Sequence, residues 1–344
     1  SRRNDRPREA ISGTNAGNTE SKLISPSNGK ELRNLLPLGD FRFSLENMID
    51  CLHLQNRGHL PELQNPHTYS EKIQWLKLHD QMTEQVICCN KILARTFVSE
   101  RIGQEYLPEL YHVSTHIDDP QFGQIKLPFM LKTNHDSGSV FHIHDQPDLQ
   151  RALKAVGRKL QKPYGVLTGE WAYFHISPLV FAERMMPEPL VEYKFHCCDG
   201  VVKWAIIVKE RITGKGKGYV VDEDCRKLPL SLDFVNEYPD EQPECPRNWH
   251  QMLEAARELS RGFRYVRIDL YTSESRIYFS EMTFWPTAGY SSVKHDAAFG
   301  DLMEIDLTTK KTAIHSEYRI PRTSRLFREI RRSDLYGLLC QQTA

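Results

Sequence analysis

The sequence predicts an α+β fold, with a mainly helical first lobe followed by two lobes in which short strands and helices alternate. Three observations predict it. Up to Pro108, apolar residues recur at helical spacing with no strand-like run. From Phe129 onward, short β-rich runs are punctuated by Gly-containing loops and interrupted by two helical stretches. The length, 344 residues, exceeds what a single hydrophobic core usually serves.

Residues 1–32, rich in Ser, Asn, Gly, Arg and Glu, have almost nothing apolar to bury and are expected to form a disordered tail. Residues 33–125 read as the helical lobe. Helical spacing over residues 35–63 ends at Asn65-Pro66, and Ser70 is the expected N-cap of the next helix. Ile73, Leu76, Val86 and Ile87 continue the pattern with a break near Asp80, and residues 91–102 form a further helix stopped by Gly103.

Residues 126–186 read as a small α+β lobe, with strands at 129–131 and 140–143, an amphipathic helix at 149–160 and a buried strand at 179–185. Residues 187–315 read as a larger one. Strands at 191–195 and 201–208 turn at Asp199-Gly200, residues 249–262 are helical, and a strand at 265–271 pairs with one at 276–283. In residues 316–344, Leu326, Phe327, Ile330 and Leu335 share a helix face among four Arg. This basic amphipathic helix is expected to pack on the body, with peripheral membrane contact as the lesser alternative.

Lys+Arg 45 equals Asp+Glu 45, so no basic surplus argues for nucleic acid. No apolar run is long enough to span a bilayer, no secretory leader pattern is present, and the eight Cys include no CxxC. These features predict a cytoplasmic protein with reduced thiols and no structural zinc. His142 and His144 share a strand face but lack a third ligand nearby, and no internal repeat is evident.

The chemistry concentrates in YVRIDLYTSESRIYFSEMTFWPTAGY, residues 265–290. Alternation puts Arg267, Asp269 and Tyr271 on one face of the first strand, and Glu281 and Thr283 on one face of the second. A register with Asp269 opposite Phe279 and Arg267 opposite Glu281 would bring two carboxylates and a guanidinium together, and needs an odd-length loop or a bulge. Such a surface suits Mg²⁺, which takes one or two carboxylates and fills its shell with phosphate and water; an Arg–carboxylate surface ladder is the alternative.

This hairpin, together with NPHTYSEKIQWLKLHD (65–80), NKILARTFVSERIG (90–103), FMLKTNHDSGS (129–139), FAERMM (181–186) and EYKFHCCDG (192–200), resembles the TupA-like ATP-grasp family. The resemblance implies an ATP-grasp fold whose lobes clasp a nucleotide. It implies that Lys91 and Lys132 contact nucleotide phosphates and that Ser137, Gly138 and Ser139 form the phosphate-covering loop. Glu183 and the backbone of Arg184 and Met185 would bind the adenine edge, with Glu192 and Lys194 near the ribose. Asp269 and Glu281 would hold Mg²⁺, and Arg267 would face the reacting groups. Thr283 stands where many ATP-grasp ligases have Asn, a substitution that the TupA-like members share, and its hydroxyl is a weaker ligand. Arg211, Trp171 and Tyr173 are candidates for contact with substrate.

The implied activity is ATP-dependent carboxylate–amine ligation through an acyl phosphate, with ATP and Mg²⁺, producing ADP. The implied partners are a small-molecule or polymer carboxylate and an amine such as an amino acid, in cell-surface polysaccharide or teichuronopeptide-type polymer biosynthesis. An ATP-grasp kinase acting on a hydroxyl, and a non-catalytic nucleotide- or polymer-binding module, are the alternatives.

Overall fold

The computed structural model describes residues 40–162, 164–187, 190–209, 217–231, 242–273, 276–290 and 294–342. The expected tail of residues 1–32 and the candidate Arg211 lie outside them.

The helical spacing expected from residue 35 is preceded by a strand, β1 (Asp40–Ser44), in which buried Phe41 and Phe43 alternate with exposed neighbours. So short a run is unstable alone, and its partner is β11 (Glu317–Pro321), at the far end of the chain. α1 (Leu45–Arg57) follows, with the Ser44 hydroxyl accepting from the Asn47 N–H at 3.0 Å.

α2 (Tyr69–His79) is capped by Thr68 rather than by the expected Ser70. Thr68 and Glu71 form a reciprocal capping box, and the Ser70 N–H and hydroxyl both donate to the Asp296 carboxylate instead. Ser70 lies two positions inside the helix start, so its backbone N–H is still available to Asp296. α3 (Thr83–Cys89) and α4 (Leu93–Ile102) complete the helical part.

β2 (Leu110–Ser114), β3 (Phe129–Thr133), β4 (Val140–Ile143) and β5 (Val180–Arg184) form an antiparallel sheet in the order β2-β5-β3-β4. α5 (Gln146–Leu160) covers one face, where Phe129, Leu131, Val180 and Ala182 meet Leu149, Ala152 and Val156. The alternation that turns those residues inward turns Lys132 and Glu183 to the other face. α6 (Trp171–Phe174) lies between α5 and β5 in the chain.

β6 (Val191–Cys198), β7 (Val201–Lys209), β8 (Lys217–Val221), β9 (Val266–Ser273) and β10 (Arg276–Thr283) form a second antiparallel sheet, ordered β10-β9-β6-β7-β8. α7 (Trp249–Ser260) packs on one face, its Trp249 ring 5.2 Å from that of Phe195. The opposite face carries the polar residues of β6, β9 and β10 and is covered in part by α2 and by α8 (Asp296–Leu302), whose Tyr69 and Phe299 rings lie 6.1 and 5.4 Å from that of Trp204. Beyond α8, β11 leads to α9 (Arg325–Arg332) and α10 (Leu335–Gln342).

The apolar face of the basic C-terminal segment is buried. Phe41 packs on Phe327 at 5.5 Å and on Tyr336 at 5.4 Å, and Leu326, Ile330 and Leu335 join the same core. Packing against strand β1 uses the surface that membrane contact would require. No helix among the described residues is long and apolar enough to cross a membrane.

Candidate functional site

The register of the β9–β10 hairpin decides the geometry of the site. Asp269 lies opposite Glu281 and Arg267 opposite Thr283, two residues away from the expected register, and the pairing shifts between Phe279 and Glu281. The bulge therefore falls at Ser280. Without it, Tyr278 and Glu281, three residues apart, would point to opposite faces; with it, Tyr278, Glu281 and Thr283 share the face of Asp269 and Tyr271. On the other side of β9, Lys194 lies opposite Asp269 and His196 opposite Arg267. Two adjacent rungs, Lys194–Asp269–Glu281 and His196–Arg267–Thr283, thus run across three strands.

Cross-strand neighbours on one face touch. Lys194 Nζ donates to Asp269 Oδ2 at 2.5 Å, and Arg267 donates to Asp269 Oδ1 through Nε at 2.6 Å and to Oδ2 through Nη2 at 2.7 Å. Arg267 Nη2 also reaches Glu281 Oε1 at 3.0 Å and the Thr283 hydroxyl at 3.2 Å, and Lys194 pairs with Glu192 at 3.2 Å. Burial opposes the Arg267 charge, but the Asp269 and Glu281 carboxylates outweigh it and hold the guanidinium above its ordinary pKa.

His196 is driven the other way. Burial, then the Arg267 and Lys194 charges, hold it well below the ordinary imidazole pKa, so it is neutral, stacked on Trp204 at 4.4 Å and hydrogen-bonded to the Tyr265 hydroxyl at 2.7 Å. Burial likewise lowers His315, to about 4. For both, the folded pKa lies below the unfolded value of 6.5, so their contribution to stability is complete above pH 6.5 and is lost as the pH falls towards the folded values. The melting temperature should therefore drop between about pH 6.5 and 4.5; a curve flat to pH 4.5 would exclude this linkage.

Hard oxygen donors dominate this surface. Glu281 is partly open, its side chain 29% exposed, whereas Asp269 is 0% exposed with both oxygens engaged by cations. Two carboxylates and a hydroxyl on adjacent rungs fit a magnesium ion, Glu281 being the accessible ligand. Among the described residues no group of three His, Cys, Asp or Glu could hold a metal without other donors, so phosphate and water oxygens would complete the shell.

The four-stranded sheet faces this surface with a second charged group. Lys132 Nζ donates to Glu183 Oε1 at 2.5 Å, and Arg95 from α4 donates to Glu183 Oε2 at 3.2 Å. Glu183 and Arg95 are close enough to Tyr271 to perturb its hydroxyl, and Met186 packs on Tyr271 and Tyr278, so the two sheets meet here. Arg184 donates its N–H to Glu109 O at 2.8 Å, and Met185 follows β5 half-buried.

The loop between β3 and β4 is built around Asp136. Its carboxylate takes the hydroxyls of Thr133 and Ser139, the latter at 2.5 Å, and Gly138 turns the chain at φ 78°. Lys91 donates its ammonium to Asp136 O and its N–H to Asn134 O, so this lysine touches the loop rather than Glu183. Burial raises the Tyr164 hydroxyl, and Ser137 in this loop is near enough to offset part of that rise.

Of the substrate candidates, Trp171 is fully buried against Trp285 at 5.6 Å, which leaves no ring face for a ligand. Tyr173 is half-buried, edge-on to Tyr164 at 4.9 Å. The exposed rings of His142 and His144 lie 6.4 Å apart with no third ligand among the described residues.

Sequence reasoning missed Glu170, Lys77 and Tyr164. Lys77 had a signal: it lies four residues after Ile73, where helical spacing puts an ammonium on the apolar face of α2. Glu170 and Tyr164 had none, because both lie outside the regular elements, between α5 and α6.

A family model described as TupA-like ATP-grasp matches residues 71–304. No curated protein matches the sequence. Among solved structures, the chain is similar to D-alanine-D-alanine ligase from Helicobacter pylori, at 14% identity over 69% of this chain and 70% of that one, with a TM-score of 0.39. It is also similar to the ATP complex of the Bacillus anthracis D-alanine-D-alanine ligase (14%, 67% and 64%, TM-score 0.37) and to an L-amino acid ligase from Bacillus licheniformis (16%, 67% and 53%, TM-score 0.39).

Proposed function

The chain belongs to the TupA-like ATP-grasp family and has the α+β ATP-grasp fold, and on that premise we propose that it is an ATP-dependent carboxylate–amine ligase. One observation carries the reading: Arg267, with Lys194, Asp269, Glu281 and Thr283, forms a contiguous charged surface facing Lys132, Glu183 and Arg95 across the meeting of two sheets.

Triphosphate would enter between these groups. Lys132, near the end of β3 and paired with Glu183, and Lys91, whose ammonium touches the β3–β4 loop, would offset phosphate charge as the loop covers it. The nucleotide base would lie towards Glu183, Arg184, Met185 and Met186, and the ribose towards Glu192 and Lys194. Glu281 and Asp269, with the Thr283 hydroxyl nearby, would hold Mg²⁺, which would supply Lewis-acid compensation of phosphate charge.

Arg267 then faces the γ-phosphoryl group while a substrate carboxylate attacks it, giving an acyl phosphate and ADP. Attack by an amine on the acyl carbon forms the amide and releases phosphate, so the chain itself supplies no nucleophile. Closure of the loop around Gly138 would keep water from the acyl phosphate. The acceptor is proposed to belong to cell-surface polysaccharide or teichuronopeptide-type polymer biosynthesis, and the protein to act in the cytoplasm.

Thermal stabilisation by ATP with Mg²⁺ tests this without knowledge of the acceptor. At a hundredfold excess over its dissociation constant, nucleotide should stabilise the wild type by about 2.7 kcal/mol, and Lys132→Ala should lose most of the shift. A wild type that melts at the same temperature with millimolar nucleotide would reject the assignment.

A further inference from the structure

The connection between α5 and β5 is tightly built. Gly165 and Gly169 have left-handed φ of 83° and 67°, and a Cβ at Gly165 would lie 2.5 Å from Glu170 O and 3.1 Å from Tyr173 Cβ. This turn directs Glu170 inward, where the residue is 5% exposed. Glu170 Oε2 accepts from the Thr168 hydroxyl at 2.5 Å, and among the described residues no cation forms an ion pair with the carboxylate.

The nearest cationic group is otherwise engaged. Lys77, 0% exposed, donates to Thr168 O at 2.9 Å and to Ala288 O at 3.0 Å. It thereby ties the Glu170 segment to the turn after β10, where Thr287 and Ala288 both adopt left-handed φ, of 50° and 54°. That conformation is rare for residues with a Cβ, and Gln74 supports it with a second donor to Ala288 O at 3.0 Å.

Beside Glu170 stand the rings of Tyr164 and Tyr173, edge-on to each other at 4.9 Å, and the Tyr164 hydroxyl, raised by burial, is raised further by the Glu170 charge. Burial, only partly offset by Lys77, raises the Glu170 carboxyl, and Glu281 raises it further; the ring of the next residue, Trp171, lies 5.6 Å from that of Trp285, two residues beyond Thr283, so Glu170 sits beside the end of β10. A buried carboxylate without a contacting counter-charge is costly. The ligand chemistry that relieves that cost here, beside aromatic faces, is an alkylammonium group.

Resting on the ligase reading, the geometry points to Glu170 as the residue that receives the amine substrate, as its ammonium, beside Tyr164 and Tyr173 and next to the phosphoryl-transfer surface. The acceptor is then a compound presenting a free, cationic amine.

The test measures the melting temperature of the full chain with Mg²⁺ and a non-hydrolysable ATP analogue, alone and with each common amino acid and the linear diamines. At least one amine should raise the wild-type value further, and its N-acetylated form should not. Glu170→Gln should keep the analogue's shift while weakening the amine at least about tenfold. Tyr164→Leu, which leaves the carboxylate in place, should weaken the same amine and keeps the test decisive if Glu170→Gln does not fold. No added shift from any amine, or equal affinity in the variants, overturns the assignment. Loss of the analogue's own shift in the wild type would instead sink the ligase reading, and this assignment with it.

Discussion

Replacing Glu281 with Gln is expected to leave a folded protein that no longer responds to magnesium. The carboxylate is partly exposed and shares Arg267 with Asp269, so loss of its charge should cost no more than about 1 kcal/mol of stability. The amide keeps the size of the side chain and its bonds to Arg267 or Thr283, but not the anionic oxygens that a hard dication requires. ADP release should fall about 10²- to 10³-fold, the usual range for removing one electrostatic contact from a reacting centre. Nucleotide should still bind, and its thermal shift should be the same with magnesium as with a chelator. A variant whose shift still grows on adding magnesium would show that the ion sits elsewhere.

Asp269→Asn should behave differently, because Asp269 is structural as well as chemical. From the sequence, its exchange for the amide reads as harmless to the fold. The structure corrects this expectation: the carboxylate is fully buried, and the Lys194 ammonium and Arg267 guanidinium both lie on its oxygens. An amide presents one oxygen and an NH₂ that faces a cation, so two buried positive groups lose their counter-charge. The expected loss is roughly 3 to 5 kcal/mol, read as a lower urea midpoint at unchanged slope. Asp269→Asn in combination with Lys194→Gln should recover part of it, since the stranded ammonium is removed as well. Stability equal to the wild type in the single variant would mean that Asp269 does not anchor the pair.

Much of the site could be read directly from the chain. Period-two alternation is a local property, so Arg267, Asp269 and Tyr271 share a face whatever the partner strand does, and the bounds of β10 follow from its β-rich run. The helical spacing of α5, α7 and α9 is equally local, as is the Gly in the β3–β4 loop. Family membership was legible for the same reason: its motifs are short, ordered blocks whose residue types are set by chemistry.

What the tertiary structure alone decided is which of these faces meet. The bulge at Ser280 has no sequence signal, yet it moves Glu281 from opposite Ile268, on the other face, to opposite Asp269, on the side of Tyr278. Thr68 and Ser70 are both acceptable caps, and the choice followed from Asp296, more than two hundred residues away, which takes Ser70. β1 is a strand because β11 pairs with it. Lys77, Glu170 and the strained turn at Thr287 and Ala288 acquire meaning only through hydrogen bonds among three distant segments. Side-chain periodicity is set by backbone geometry within a few residues, whereas register, capping choice and burial of charge are set by contacts that exist only once the whole chain has closed.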